Sequence, residues 1–195
     1  MFNSKKYWND RYLNGGNSGL GSYGELAKFK AEIINNFIKQ NKINSIIDYG
    51  VGDGNQLKLI NTNNKLYKGI DVSSFIILKC KEIFKNDNTK SFIHIDNVDD
   101  NLRSELVLSC DVIYHLIEDN IYKKYMKKLF SMSKKYVIIY SYNENIDHGR
   151  HVKFRKFLTY ININFPKWDL IKHIPNKYPQ ASSCYFYIYE NKTCK

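Results

Sequence analysis

The fold is most clearly indicated by residues 43–54, the apolar run Ile43-Asn44-Ser45-Ile46-Ile47-Asp48-Tyr49 followed directly by Gly50-Val51-Gly52-Asp53-Gly54. A strand that ends in closely spaced glycines and leads into a helix is typical of an α/β sheet with a nucleotide-like ligand. Glycine suits this position because the backbone can approach the ligand without a Cβ clash. The segment therefore predicts a cofactor at the carboxyl end of the first strand.

Acidic residues around these glycines narrow the cofactor class. Asp71 ends the next predicted strand about 20 residues later, the offset at which a carboxylate holds ribose hydroxyls. The glycine spacing is GxGxG rather than the GxGxxG that suits a dinucleotide pyrophosphate. Carboxylates at Asp48 and Asp53 would repel a pyrophosphate, whereas they suit the amino group of a methionine moiety. Asp96 and Asn97, after the third strand, are suited to adenine contacts.

Outward from this segment, predicted strands and helices alternate along the chain. Strands are expected at 43–49, 66–71, 91–95, 106–113, 135–141, 168–174 and 184–189. Helices are expected at 24–40, 56–60, 118–132 and 152–164. A further helix is expected to begin after Ser73, which is a suitable N-cap. Five alternating strands closed by a hairpin-like pair predict an α/β sheet that is mostly parallel with one antiparallel piece.

Composition limits the class of protein. The chain has 195 residues, of which 43% are hydrophobic and 15% aromatic, so we expect one folded domain rather than a disordered chain. The residues carry no apolar run long enough for a membrane helix and no signal-like start, which predicts a soluble cytoplasmic protein. We expect Cys80, Cys110, Cys184 and Cys194 to be free thiols, because their spacing does not fit a zinc site and structural disulfides are not expected without a secretion signal.

The net charge of +11 would suit nucleic acid, an acidic surface or a phosphorylated substrate. However, only four of the 30 basic residues are arginines, the better residue for bidentate phosphate contacts, and the lysines are spread along the chain. The charge alone therefore does not decide among these partners, and a solvated lysine-rich surface accounts for it.

Three motifs resemble those of the class I S-adenosylmethionine-dependent methyltransferases. Residues 48–54 look like the first motif of that family, and Gly69-Ile70-Asp71-Val72-Ser73 looks like the second. The third is Asp111-Val112-Ile113-Tyr114-His115-Leu116, which resembles the motif of the fourth strand. The resemblance implies a Rossmann-like seven-stranded sheet, mostly parallel with the last strand antiparallel and with helices on both faces.

The resemblance also implies the domain organisation and the sites. It implies a single domain over 1–195, with N-terminal helices and a glycine-rich lid at 1–40, a cofactor-binding core at 41–142, and an acceptor-side segment at 143–195. S-adenosylmethionine would be the cofactor and S-adenosylhomocysteine the product. The implied cofactor-binding residues are Trp8, Arg11, Asp48, Gly50, Gly52, Asp71, Val72, Asp96, Asn97 and Asp111. Tyr23, Tyr114 and Arg155 are the candidate substrate-binding residues.

His115 and His151 are the candidate general bases, because a hydroxyl acceptor must lose a proton and a neutral His can take it near pH 7. The alternatives stay open: His115 can simply satisfy backbone groups, and the cluster His148, Arg150, His151 and Arg155 can be a solvated helix start. No convincing set of metal ligands accompanies Asp111 and Asn143, so no metal is expected.

The segments 7–12, 15–24 and 173–179 resemble small stand-alone methyltransferases associated with surface glycans. We therefore expect an O-methyltransferase that acts on a small polar acceptor such as a sugar or sugar nucleotide, with no membrane partner. The alternatives are a methyltransferase of RNA or protein, which the charge would suit, and a non-catalytic scaffold with the same fold. The sequence does not indicate the oligomeric state.

Overall fold

The computed structural model describes residues 2–194, and this part of the chain forms five α-helices and nine β-strands. The helices are α1 (Ser4–Leu13), α2 (Gly24–Gln40), α3 (Ser74–Ile83), α4 (Asp119–Ser131) and α5 (Phe157–Asn164). The strands are β1 (Ser45–Tyr49), β2 (Leu66–Asp71), β3 (Lys90–His94), β4 (Ser104–Cys110), β5 (Ser133–Ser141), β6 (Ile146–Asp147), β7 (Lys153–Phe154), β8 (Trp168–Ile174) and β9 (Tyr185–Asn191).

Seven strands form one sheet in the order β3-β2-β1-β4-β5-β9-β8, and β6 and β7 form a separate two-stranded ribbon. β2 is parallel to β1 and to β3, and β4 is parallel to β5. The last strand, β9, is antiparallel to both of its neighbours, β5 and β8. This confirms the predicted Rossmann-like sheet, mostly parallel with an antiparallel last strand.

By its internal contacts the chain divides into two compact units. The first unit, Lys5–Leu102, contains β1 to β3. Its helix α2 has the predicted bounds, because Leu26, Ile34 and Phe37 repeat at helical spacing and are buried together. Helix α3 begins as predicted after Ser73, whose hydroxyl accepts a hydrogen bond from the Ile76 backbone N–H at 3.4 Å.

The second unit is formed by the rest of the described chain and contains β4 to β9. Its core is rich in aromatic side chains. Phe130 of α4 stacks on Phe165 with ring centroids 4.5 Å apart and meets Trp168 and Tyr189 edge to face. Aromatic pairs of this kind add stability beyond that of the area they bury, so these rings help to stabilise the second unit.

Two predicted helices differ from the structure. The helix expected at 56–60 is a single 3₁₀ turn, Leu57–Leu59, because the Asn61 backbone N–H donates to the Asn35 side chain instead of continuing the helix. The helix expected at 152–164 begins only at Phe157. Residues 153–154 pair with β6 instead, and the side chains of Asn143 and Asn145 accept the first backbone N–H groups of the helix.

Cys80, Cys110 and Cys184 are free thiols, as predicted, whereas the side chain of Cys194 lies outside the described residues. Within residues 2–194, no helix combines the length and the apolar composition that are needed to span a bilayer.

Candidate cofactor and acceptor sites

The glycine turn of the first unit has the backbone that the sequence predicts. Gly50, Gly52 and Gly54 have φ angles of 109°, 58° and 76°, a region that side chains with a Cβ rarely adopt. The backbone N–H groups of Gly50 and Val51 donate to the Ile70 carbonyl at 2.8 and 3.1 Å. The turn is therefore fixed against the end of β2.

Asp71 is held at the end of β2 by the turn itself. Its carboxylate accepts backbone hydrogen bonds from Gly52 and from Ser73, both at 3.0 Å, and the residue is 8% exposed. Burial raises the pKa of Asp71, although the backbone donors act in the opposite direction. The side chain is oriented before any ligand binds, and a carboxylate in this position can accept hydrogen bonds from hydroxyl groups.

Asp48 is a second buried carboxylate, at the end of β1. It is 6% exposed and accepts a hydrogen bond from the Tyr67 hydroxyl at 2.7 Å. Burial raises the pKa of Asp48 to about 6, against the lowering effects of the Tyr67 hydrogen bond and of Lys30. A carboxylate in this environment is a strong acceptor for an ammonium group.

The glycine-rich N-terminal segment contacts the glycine turn through Asp53. The Ser18 backbone N–H donates to the Asp53 carboxylate at 2.9 Å, and the Asp53 backbone N–H donates to the Ser18 hydroxyl at 2.9 Å. The Tyr23 hydroxyl donates to the same carboxylate at 2.6 Å. Partial burial would raise the pKa of Asp53, but the hydrogen bonds from Tyr23, Ser18 and Asn55 together hold it below its ordinary value.

Other predicted cofactor residues of the first unit are more exposed. The Arg11 guanidinium lies 5.6 Å from the centre of the Trp8 ring, and its Nε donates to the Asn17 carbonyl at 2.7 Å. Asp96 and Asn97 are exposed, and Asp96 forms an ion pair with Lys5 that lowers the pKa of its carboxyl. Contacts of these four residues with a cofactor stay predictions.

His94 positions the loop that follows β2. Its Nδ1 accepts the Asp96 backbone N–H at 3.3 Å, so the neutral ring carries its proton on Nε2, which donates to the Val72 carbonyl at 2.9 Å. The predicted cofactor residue Val72 is thereby tied to the end of β3.

In the second unit, β4 is followed directly by a strained residue. Asp111 has a φ angle of 59°, which is uncommon for a residue with a side chain. Its carboxylate accepts a hydrogen bond from the Tyr114 hydroxyl at 2.9 Å. Burial, and then the Asp111 charge, raise the pKa of Tyr114 well above its ordinary value, so this phenol is a hydrogen-bond donor and not a base.

The structure brings the two candidate bases together. The rings of His115 and His151 stack with centroids 5.3 Å apart and planes 14° apart. The Nδ1 of His115 lies 2.8 Å from the His151 backbone carbonyl, which can only accept. In neutral His115 the proton is therefore on Nδ1 and the lone pair is on Nε2, the nitrogen that can take a proton.

Arg155 is held by protein groups rather than left open to solvent. Its guanidinium donates to the carbonyls of Leu116 and Ile117 and to the Asp119 carboxylate, each at 2.8 Å. It also lies 4.5 Å above the centre of the Tyr122 ring. These contacts fix the loop that follows His115, and a direct contact between Arg155 and a substrate stays a prediction.

Four side chains that contribute to these sites were not predicted from the sequence: Ser18, Lys30, Tyr67 and His94. Lys30 carries a signal that could have found it, because it stands four residues after Leu26 and four before Ile34, in the middle of an apolar helix face. Ser18 and Tyr67 carry none, since each meets its partner through the fold.

No protein-family model matches the chain, and no curated protein matches it in sequence. Solved structures do match. They include the N-methyltransferase NodS from Bradyrhizobium japonicum WM9, with 13% identity, a TM-score of 0.76 and coverage of 97% of this chain and 99% of that one. The magnesium protoporphyrin IX methyltransferase ChlM from Synechocystis PCC 6803 has 13% identity, a TM-score of 0.71 and coverage of 96% and 97%.

A third match is the 1,6-didemethyltoxoflavin-N1-methyltransferase from Burkholderia thailandensis, with 12% identity, a TM-score of 0.71 and coverage of 96% of this chain and 86% of that one. These likenesses extend over nearly the whole chain. The chain therefore has the Rossmann-like fold of the class I S-adenosylmethionine-dependent methyltransferases.

Proposed function

We propose that this chain is an S-adenosylmethionine-dependent O-methyltransferase that acts on a small polar acceptor, a sugar or sugar nucleotide. The observation that carries the proposal is the glycine turn flanked by two buried carboxylates, Asp48 and Asp71, at adjacent strand ends. Structures with the same fold have been solved with S-adenosylhomocysteine bound, which supports the same cofactor class for this chain.

The donor set of the first unit fits this cofactor. Asp48 would receive the amino group of the methionine moiety, and Asp71 would accept the ribose hydroxyls. Gly50 and Gly52 would keep the turn in the conformation that borders the ligand, since a Cβ at either position would be strained at its positive φ. When bound, the cofactor supplies a methyl group on a sulfonium, which is already activated for displacement.

Because the methyl group is already activated, the chain mainly has to orient the acceptor, exclude water and remove a proton. His115 suits the proton transfer, because the His151 carbonyl fixes its tautomer with the lone pair on Nε2. Tyr114 packs on Phe154 with ring centroids 5.0 Å apart, and Phe154 also contacts Tyr142 and His148. Such a wall of aromatic rings suits the flat apolar face of a sugar ring.

The alternatives differ in the acceptor. Two of the matched structures are N-methyltransferases by name, and the charge of +11 would suit an RNA or an acidic protein. The acceptor atom is therefore part of the test. A scaffold that does not bind the cofactor is the third outcome.

The test begins with calorimetry of S-adenosylhomocysteine binding. We expect binding to the unmodified chain, and absence of binding would favour the scaffold. Transfer of a labelled methyl group to a panel of sugar nucleotides, to bulk RNA and to a peptide mixture then separates the acceptor classes. Labelling of RNA or peptide without labelling of any sugar nucleotide would contradict the proposal.

His115→Ala should lower the turnover number about 10²–10⁴-fold with little change in cofactor affinity, as expected for loss of a general base. His151→Ala should cost less, because the hydrogen bond to His115 comes from the backbone of residue 151 and survives the substitution. His173→Ala, at an exposed position of β8, is the control. Equal turnover in the His115 and His173 variants would exclude His115 as the base.

A further inference from the structure

The His94 side chain joins two neighbouring segments of the first unit. His94 is the last residue of β3, and in the register of the sheet it lies beside Asp71, the last residue of β2. Its Nε2 donates to the Val72 carbonyl at 2.9 Å, and its Nδ1 accepts the Asp96 backbone N–H at 3.3 Å. One imidazole therefore connects the loop after β2 with the segment after β3.

The hydrogen bond to Nδ1 caps a short turn. Residues Ile95–Asn97 form a 3₁₀ turn, and His94 is its N-cap. An N-cap side chain accepts a backbone N–H that has no partner within the turn, and so favours the turn over other conformations. A Ser, Asn or Asp would serve as a cap. An imidazole carries a second nitrogen as well, and here that nitrogen donates to Val72.

The segments that His94 joins contain the residues expected to bind the adenosine half of the cofactor. Asp71 and Val72 belong to the loop after β2, and Asp96 and Asn97 belong to the turn after β3. The carboxyl ends of neighbouring parallel strands meet at the same edge of the sheet, so one ligand can reach both segments. The bridge through His94 fixes the spacing between them.

We propose that His94 is a positioning residue for the adenosine half of S-adenosylmethionine: it holds the loop expected to bind the ribose at a fixed distance from the turn expected to bind the adenine. This inference rests on the proposed function, because it assumes that these segments bind the cofactor. Both ring nitrogens of His94 are engaged by the protein, so the residue acts through Val72 and Asp96.

The size of the effect follows from preorganisation. Without the two hydrogen bonds, the loop and the turn can adopt other conformations before a ligand binds. A ligand then binds only the fraction of molecules in which both segments are in place, and a fall of that fraction to about one-tenth weakens binding about tenfold. The methionine half is expected to be held by Asp48 and the glycine turn. The loss should therefore be equal for a ligand without that half.

The experiment is titration calorimetry at pH 8 with S-adenosylhomocysteine and with 5′-methylthioadenosine, which has the adenosine half but no amino-acid moiety. His94→Leu, which removes both hydrogen bonds, should bind each probe at least about tenfold more weakly than the unmodified chain. Asp48→Asn should weaken binding of S-adenosylhomocysteine alone. Ser91→Ala is the matched control, because it removes a hydrogen bond from β3 to the Tyr67 carbonyl of β2 near the other end of the strand.

Two conservative variants separate the hydrogen bonds of His94 from the packing of its ring. His94→Asn offers an oxygen in place of Nδ1 and keeps the cap, whereas His94→Gln offers an amide N–H in place of Nε2 and keeps the bond to Val72. Each should recover part of the affinity that His94→Leu loses. In hydrogen exchange of the free chain followed by NMR, the Asp96 amide should stay protected in His94→Asn and exchange faster in His94→Leu and His94→Gln.

Affinities of His94→Leu equal to those of the unmodified chain for both probes would overturn the proposal. A loss confined to S-adenosylhomocysteine, or no recovery in either amide variant, would overturn it as well. If His94→Leu does not fold, the amide variants decide: full affinity in both contradicts the proposal, and a partial loss in each supports it. Failure of the proposed function gives a different result, because the unmodified chain would then bind neither probe, and the inference would fall with it.

Discussion

The contact between Gly52 and the N-terminal glycine-rich segment can be tested by adding a single methyl group. Gly52 has a φ angle of 58°, and a Cβ at this position would overlap the Oγ of Ser18 and lie 3.2 Å from the Tyr12 hydroxyl. Gly52→Ala must therefore strain the backbone and push Ser18 away. The Ser18 hydroxyl would then lose the hydrogen bonds it makes with the Asp53 backbone N–H and with Tyr12.

The magnitude follows from these two effects. An alanine in the left-handed region costs about 1–2 kcal/mol. Two lost hydrogen bonds cost about 0.5–1.5 kcal/mol each, which brings the free energy of unfolding down by about 2–5 kcal/mol in total. Ser18→Gly alone removes the same two hydrogen bonds and leaves Gly52 unstrained. In the double variant the methyl group no longer meets the Ser18 hydroxyl, so mainly the backbone cost adds to that of Ser18→Gly.

The assay is urea unfolding of the two single variants and the double variant, followed by far-UV circular dichroism. The double-variant cycle should show a coupling of about 1–3 kcal/mol, the value expected for residues in contact. Gly24→Ala is the control for backbone strain, because Gly24 has a φ angle of 57° and nothing within 4 Å of its virtual Cβ. Additivity within about 0.5 kcal/mol would refute the docking of Ser18 on Gly52.

Three further predictions concern single side chains. Arg155→Lys should lower the free energy of unfolding in urea by about 2–4 kcal/mol, because a lysine cannot reproduce the forked hydrogen bonds of the guanidinium, which include Asp119. An unchanged midpoint of urea unfolding would contradict this. Asp71→Asn should weaken S-adenosylhomocysteine binding at least about tenfold by calorimetry, since the amide is a poorer acceptor for hydroxyls; equal affinity would exclude a ribose contact. Tyr114→Phe should lower the free energy of unfolding in urea by about 1–3 kcal/mol, because the Asp111 carboxylate loses the hydrogen bond from the phenol. A change below about 0.5 kcal/mol would show that water replaces the phenol.

Much of the fold could be predicted because its signals are local. Helix α2 and strand β2 have the bounds that the apolar pattern predicts, and the Ser73 cap marks the start of α3. Predictions were wrong where an interaction from outside the segment ends or replaces an element. The Asn35 side chain binds the backbone just after the 3₁₀ turn Leu57–Leu59, and β6 pairs with residues 153–154 in a ribbon. Neither interaction has a signature within the segment concerned.

The candidate sites show the same difference between residues near strand ends, which could be predicted, and their distant partners, which could not. The glycine turn and its acids lie within a few residues of strand ends, so their types and spacing predict them. The partners that set their chemistry come from elsewhere: Tyr67 reaches Asp48 across 19 residues, and Ser18 reaches Asp53 across 35. The pairing of His115 with the carbonyl of His151 spans 36 residues, so its tautomer could only be assigned from the structure.

The position of β9 in the sheet has a consequence for how the chain is synthesised. β8 is made before β9, yet among the described strands it pairs only with β9, and β9 joins it to β5. A nascent chain that has reached residue 180 therefore carries β8 with no edge to join and with the apolar side chains of Leu170 and Ile171 exposed. The β5-β9-β8 part of the sheet can form only after β9 has left the ribosome, and until then β8 is an unpaired strand that favours aggregation.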